Sequence, residues 1–484
     1  MATSAPQSDS TAQPARAASP AIAILAVLLL ALALRVGLAL AYPTVDWPDE
    51  IFQTTEPAHR LAFGNGVVTW EWRDGVRNWA LPGLLAMIMR TTSWMGAGSF
   101  GYLLGITLKL ATVALAVVWF GYRWGSRVLG ARAGVLVAII CAVWYDLVYY
   151  GPKPLNEVLA AHLLVAGLYL GYWAEPRSRP ARLLVAGVLL GAVVGLRLQL
   201  APAVAVALVF ICYRLPRRRW TPILASAAVV FAAFGALDAI TWGSPFASYV
   251  RSLRVNLVQA RSMQYGVFPW NYYWGYLIMR AGWLLPFSLW GARRSPVLAA
   301  VAAAVLVTHS AVAHKEYRFI YPAVVLLVML AGLGIADLIA RWQKSSQPSA
   351  RAVAIAALVV AALSACTWTT AQMSSKYNGA LPAFRRLSVD SSVCGVGLRG
   401  YWFWSGGYTN LHRNVPIVPV KDDAAVAASS AAFNVLVTID GVPGHPAGFG
   451  LERCWGHACI YRRAGGCLPD PAGEINAFLR AKGQ

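Results

Sequence analysis

The sequence predicts a polytopic all-α membrane protein with about eleven transmembrane helices and a small soluble α/β domain at its C-terminal end. Three observations predict it. Of 484 residues, 58% are hydrophobic and 13% charged, and the mean hydropathy is +0.55, too apolar for the surface of a soluble protein of this size. Twenty Trp and 20 Tyr supply aromatic belts for two membrane faces, and 42 Gly with 27 Pro suit packed and broken membrane helices. Beyond residue 371 the composition changes to Gly/Pro turns and β-like runs such as 434–440, with no further apolar span.

A span needs roughly 20 apolar residues to cross about 30 Å of hydrocarbon. The stretches that qualify are 22–42, 99–121, 132–150, 157–174, 181–197, 199–213, 221–242, 272–290, 296–313, 319–340 and 351–371. Residues 1–20, rich in Ala, Ser, Pro and Gln, read as a disordered cytoplasmic arm. The first span resembles a signal peptide at Ala39-Leu40-Ala41, but Arg35 interrupts its apolar run and the segment before it is long with one Arg. With the N-terminus inside, the loops facing the cytoplasm hold Arg123, Arg127 and Arg132; Arg177, Arg179 and Arg182; Arg214 and Arg217 to Arg219; Arg293 and Arg294; and Arg341, Lys344 and Arg351. This positive-inside pattern absorbs most of the +21 net charge, so nucleic acid is not an expected partner. It leaves 43–98, 151–156, 243–271, 314–318 and the tail from 372 on the outer face. The expected organisation is an arm (1–20), a transmembrane module (21–371) and an exported soluble domain (372–484).

Four of the seven Cys, Cys394, Cys454, Cys459 and Cys467, lie in that tail, and an even number in an exported domain points to two disulfides of open connectivity. Cys454, His457, Cys459 and Cys467 are also spaced acceptably for zinc. Cys141, Cys212 and Cys366 lie in spans and act as small apolar residues.

Chemistry is expected where polar residues cluster without a packing reason. The first outer loop carries Asp46, Asp49, Glu50 and Glu56 within eleven residues of a membrane exit, together with Gln53 and His59. Mutual repulsion and partial desolvation would raise some of these carboxyl pKa values, as a general base or cation site requires; an acidic helix start after Pro48 explains the same pattern. Thr69-Trp70-Glu71-Trp72-Arg73 mixes aromatics and charge as sugar sites and membrane belts both do. His314-Lys315-Glu316-Tyr317-Arg318 fills a loop too short for a solvated excursion, so its cationic groups sit at the membrane face, where they meet a donor phosphate or lipid headgroups. Asn156, in the segment 153–157, and Tyr265 and Trp270, in 265–273, fit the same outer cavity. Arg197 lies at another outer helix end, where it needs an anionic partner. Arg35, Lys109 and Asp146 are left unassigned.

Pro48-Asp49-Glu50-x-Phe52-Gln53-x-x-Glu56-x-Ala58-His59, Thr69-Trp70-Glu71-Trp72, Tyr265-Gly266-x-x-Pro269-Trp270-x-x-Tyr273 and His314-Lys315-Glu316-x-Arg318-Phe319-x-x-Pro322 occur in that order over residues 25–340. Together they resemble glycosyltransferase family 22, the α-mannosyltransferases of GPI-anchor and N-glycan assembly in the GT-C superfamily. The Arg/Ala-rich composition suggests a bacterial member. Trp47 stands where that family usually has His, and Lys153 where Arg is more usual, which leaves the sugar and the acceptor open.

The resemblance implies a multi-pass inner-membrane enzyme that takes a sugar, usually mannose, from a polyprenyl-phosphate carrier on the periplasmic face. The acceptor would be a hydroxyl on a glycan, glycolipid or protein, and the displacement an inverting one. Asp49 is the expected base, with Glu50 as its partner or acceptor holder and Asp46 in reserve. His314, Lys315, Arg318 and Arg197 are expected at the donor phosphate. Gln53, Glu56, His59, Trp70, Glu71, Trp72, Asn156, Tyr265, Trp270 and Glu316 are expected around the sugars. No cofactor beyond the lipid-linked sugar is expected, and a divalent ion is left open. A transporter or flippase of lipid-linked sugars is the competing class. It would place charge near the midplane and often repeat its halves, whereas these clusters share one face and no repeat is visible.

Overall fold

In the computed structural model, residues 20–370, 373–439 and 446–484 are described. The expected arm lies outside them except for Pro20, as does the expected boundary at 371 and 372. Each predicted span is a helix or a broken pair: Pro20–Ala41, Phe100–Leu129, Ala131–Val143 with Tyr145–Tyr150, Asn156–Tyr172, Pro180–Leu196, Ala201–Arg214, Trp220–Trp242, Tyr272–Ala281 with Leu285–Ala292, Pro296–Ser310, Tyr321–Trp342 and Ala350–Thr370. Among the described residues, five helices are long and apolar enough to cross a membrane on their own. Helix Tyr321–Trp342 is the hub and is buried over most of its length. It packs against Leu285–Ala292 by glycine contact: a Cβ at Gly291 would lie 1.9 Å from the Leu330 carbonyl oxygen, and one at Gly334 2.0 Å from that of Phe287.

The two breaks correct the expectation of continuous spans over 132–150 and 272–290. At Trp144 the backbone turns extended (ψ 122°), so the carbonyls before it lose their helical partners. Arg35, 1% exposed, replaces them: Nη1 donates to Ala142 O at 3.2 Å and Nη2 to Cys141 O at 3.0 Å. Ser364 bridges the remainder, donating to Val143 O and accepting from the Tyr145 amide. The arginine inside the first span is therefore a structural clamp on unpaired backbone in apolar surroundings. Asp146, at the start of the continuing helix, pairs with Arg280 (2.8 Å) and accepts from the Tyr317 hydroxyl (2.5 Å), which ties the 314–318 loop to the bundle.

The tail forms the expected α/β domain. Five strands, β1 (Val396–Arg399), β2 (Ile417–Val420), β3 (Val435–Thr438), β4 (Gly450–Trp455) and β5 (Ala458–Arg462), order as β2-β1-β3-β5-β4. The β1 pairings are parallel; β3 with β5 and β5 with β4 are antiparallel. Helices Ala380–Leu387 and Ile475–Lys482 bury Phe384, Leu387, Ile475 and Leu479 against the sheet core. The disulfides are Cys394–Cys467 and Cys454–Cys459, so Cys454, Cys459 and Cys467 are spent and the zinc alternative for the tail falls.

This domain is docked, not tethered. Glu56, fully buried, accepts from the Val67 amide at 2.6 Å and, across the junction, from the Thr409 amide at 2.5 Å. His59 Nε2 lies 3.0 Å from His412 Nδ1, and its Nδ1 lies 2.7 Å from Asn65 O. The expectation that Glu56 and His59 hold sugar is corrected: neither lines the cavity around Asp49 and Arg318, and both are buried struts between the segment 43–98 and the tail. Glu56→Ala is expected to lower stability by roughly 1.5–3 kcal/mol, because two buried amides lose a charged acceptor. Thermal unfolding read together with protease cleavage at the junction checks this; an unchanged melting curve removes the strut.

Candidate functional site

Pro48 breaks the chain after the first helix, and a wide π-turn, Glu50–Thr55, follows. Such turns shift the helical register and recur at functional sites. Here the turn sends neighbouring acids in opposite directions. Asp49, Phe52 and Gln53 line a cavity of about 520 Å³. Glu50 faces away, its Oε2 2.7 Å from Lys153 Nζ and its Oε1 accepting the Asp46 amide at 2.8 Å. Asp46 is buried against Lys376 and the Tyr150 hydroxyl. Glu50 and Asp46, expected as catalytic, do not line that cavity: each carboxylate pairs with a lysine outside it, Lys153 buried and Lys376 half-buried.

Across the cavity, the short loop before Tyr321 delivers Arg318, 4% exposed. Its Nη2 contacts Asp49 Oδ2 and its Nε lies 2.5 Å from Glu316 Oε2, while Nη1 is 3.7 Å from Glu157 Oε1. Glu157 in turn holds Arg197 at 2.9 Å. A second branch runs through Glu71, which takes Arg77 at 2.5 Å and the Gln53 amide at 3.1 Å. Three arginines are therefore interleaved with four carboxylates. Such a network does not offer free positive charge; it offers arginines that an anion wins by displacing a carboxylate.

Asp49 is the carboxylate of this network pushed toward neutral pH. Burial pushes its carboxyl up to about 6; Arg318 opposes the rise, and Glu71 and Glu316 add to it. Glu316 goes the other way: burial works against its ionisation, yet Arg318 and His314 hold it at about 2. His314 is raised by its 3.0 Å contact with Glu316. Two carboxylates on one arginine are thus driven apart, the arrangement that separates a proton acceptor from a permanent anion.

The cavity also takes in the predicted Trp70, Glu71, Arg197, Tyr265, His314 and Glu316. Four other predicted residues are not brought to it. Lys315 donates to the carbonyls of Phe268 and Val312, so it closes the loop and does not line the cavity. Trp72 is buried, its Nε1 donating to Phe52 O at 3.0 Å and its ring against Trp79, so it is no sugar wall. Asn156 lines a smaller adjoining pocket, and Trp270 is 70% exposed outside the cavity. Sequence reading missed Arg77, His309 and the tail residues Trp402 and Phe403, and placed Glu157 only within the segment 153–157, without a role. A carboxylate at the start of an apolar helix was the available signal for Glu157, and four consecutive aromatics, Tyr401 to Trp404, for the tail.

The Alg9-like mannosyltransferase family matches residues 26–391. GPI mannosyltransferase 3 of Yarrowia lipolytica is 29% identical over 410 residues, covering 81% of this chain and 76% of that protein. GPI alpha-1,2-mannosyltransferase 3 of Mus musculus is 25% identical over 338 residues, 66% of this chain and 60% of its own length. Among solved structures, ArnT from Cupriavidus metallidurans bound to undecaprenyl phosphate aligns with a TM-score of 0.59 at 12% identity, over 93% of this chain and 98% of that one. That likeness shows the fold, which is of the GT-C type. The motif order in the sequence, a GT-C architecture and a match over most of the chain lead to one statement: the chain belongs to the Alg9-like mannosyltransferase family.

Proposed function

We propose that this membrane glycosyltransferase moves mannose from a polyprenyl-phosphate carrier to an acceptor hydroxyl on the periplasmic face, by a single inverting displacement. The observation that carries the reading is the Asp49–Arg318 contact inside the cavity. Before the donor arrives, the two neutralise one another. A donor phosphate is a bidentate competitor for the guanidinium, and taking it releases Asp49 to accept a proton. The acceptor oxygen then bonds to the anomeric carbon as the carbon–oxygen bond to phosphate breaks. The bonding pair leaves with the polyprenyl phosphate, whose growing charge meets Arg318, with Arg197 and Arg77 in the same network; the acceptor proton goes to Asp49. The undecaprenyl phosphate named with the ArnT structure supports a lipid-phosphate donor by likeness of fold. The two tail disulfides and the arginine-rich inner loops support the periplasmic orientation.

The test is direct. Purified protein is incubated with polyprenyl-phosphate [³H]mannose, and loss of label from the lipid phosphate is followed; retention of all label on the carrier, with and without glycan acceptors, overturns the reading. The pH dependence adds a second check. A base must be ionised, and Asp49 titrates at about 6, so kcat/KM should fall as pH drops through that value and level off above it. The low-pH limb should vanish from whatever turnover Asp49→Asn retains.

A further inference from the structure

The family match ends at residue 391, before the sheet begins, yet the cavity wall does not end there. Trp402 and Phe403, in a single 3₁₀ turn following β1, line the same cavity as Asp49 and Arg318. Gly400, at φ +114°, turns the chain out of the strand, a conformation open to glycine. The Trp402 ring meets Phe52 of the π-turn edge to face at 4.9 Å, and Tyr401, 70% exposed, stacks on Phe403 at 5.3 Å. Thus an aromatic lip is built on a soluble domain and held over a cavity whose floor is charged. The lip is positioned firmly: Asn378 donates to Trp404 O at 2.9 Å, and the Tyr102 hydroxyl donates to Thr409 O.

We infer that Trp402 and Phe403 form the acceptor subsite, taking a hexose unit of the acceptor glycan against their ring faces. This rests on the proposed function. A lipid-linked donor enters from the bilayer, so its chain and phosphate occupy the membrane-side walls and the arginines. The wall supplied by the soluble domain is the one that faces a partner arriving from outside. Flat aromatic surface beside hydrogen-bonding groups such as Gln53 matches a sugar ring, whose C–H face is apolar and whose rim is hydroxyl. The membrane module and the tail would then divide the labour, one recognising the donor and the other the acceptor.

The experiment uses the full chain in detergent micelles, with mannobiose as the probe and saturation-transfer NMR as the readout. Mannobiose protons should receive saturation from the parent protein. The signal should fall at least threefold in Trp402→Leu and in Phe403→Leu, changes that keep an apolar wall against Phe52 while removing the ring face. Lys421→Ala, an exposed change in the same domain, should leave it as in the parent. Polyprenyl phosphate binding, measured separately, reports whether the variants keep the donor site folded. Equal mannobiose signals in parent and leucine variants, or no signal in a parent that binds polyprenyl phosphate, overturn the inference. Failure of the underlying function is read elsewhere, as no release of label from polyprenyl-phosphate mannose by the parent.

Discussion

Asp49→Asn is expected to lower turnover by roughly 10²–10⁴-fold, the usual cost of losing a general base. The substitution keeps size and hydrogen bonding while abolishing proton acceptance. Because it also removes the carboxylate that occupies Arg318, donor affinity should hold or tighten, which separates a chemical role from a binding one. Glu50→Gln and Asp46→Asn serve as parallel variants. Their carboxylates pair with Lys153 and Lys376, so both should lose stability more than rate per folded molecule. Turnover of donor label at saturating substrate decides the matter. A near-normal Asp49→Asn, with Glu50→Gln or Asp46→Asn severely impaired, moves the base to that residue.

Arg318→Ala should produce the second large effect, in two measurements. Its side chain is 5% exposed and serves Asp49, Glu316 and Glu157 together. Removing it leaves Asp49 without its partner, while Glu157 keeps Arg197 and Glu316 keeps His314, at a cost of about 1–3 kcal/mol of stability. Donor affinity should fall about ten- to a hundredfold, since a charge-assisted bidentate contact contributes roughly 1.5–3 kcal/mol. Arg318→Lys restores charge without the planar fork and should recover only part. The double variant Arg318→Ala with Asp49→Asn distinguishes the effects: stability should be partly recovered, because one stranded charge is gone, and donor binding should not. If donor binding survives in Arg318→Ala, the phosphate is held elsewhere and the loop at 314–318 is a structural clamp.

The sequence alone determined the membrane class, the approximate helix positions and the family. Runs of apolar residues and the arginine distribution are one-dimensional signals, and hydrocarbon enforces them because backbone in lipid must pair within its own segment. The even cysteine count in the tail likewise foretold two disulfides, now Cys394–Cys467 and Cys454–Cys459. Tertiary structure alone decided which acid lines the cavity. Asp46, Asp49 and Glu50 are equivalent in composition, and a π-turn of six residues sends one into the cavity and leaves two against lysines from elsewhere in the chain. The same holds for Trp70 and Trp72, two residues apart on one helical turn, of which one lines the cavity and the other is core. Arg35 and Arg318 are both arginines at apolar helices in the sequence; one caps broken backbone and the other faces a carboxylate. Facing is set by turn geometry and by partners 100 to 350 residues distant, and local sequence carries no record of either.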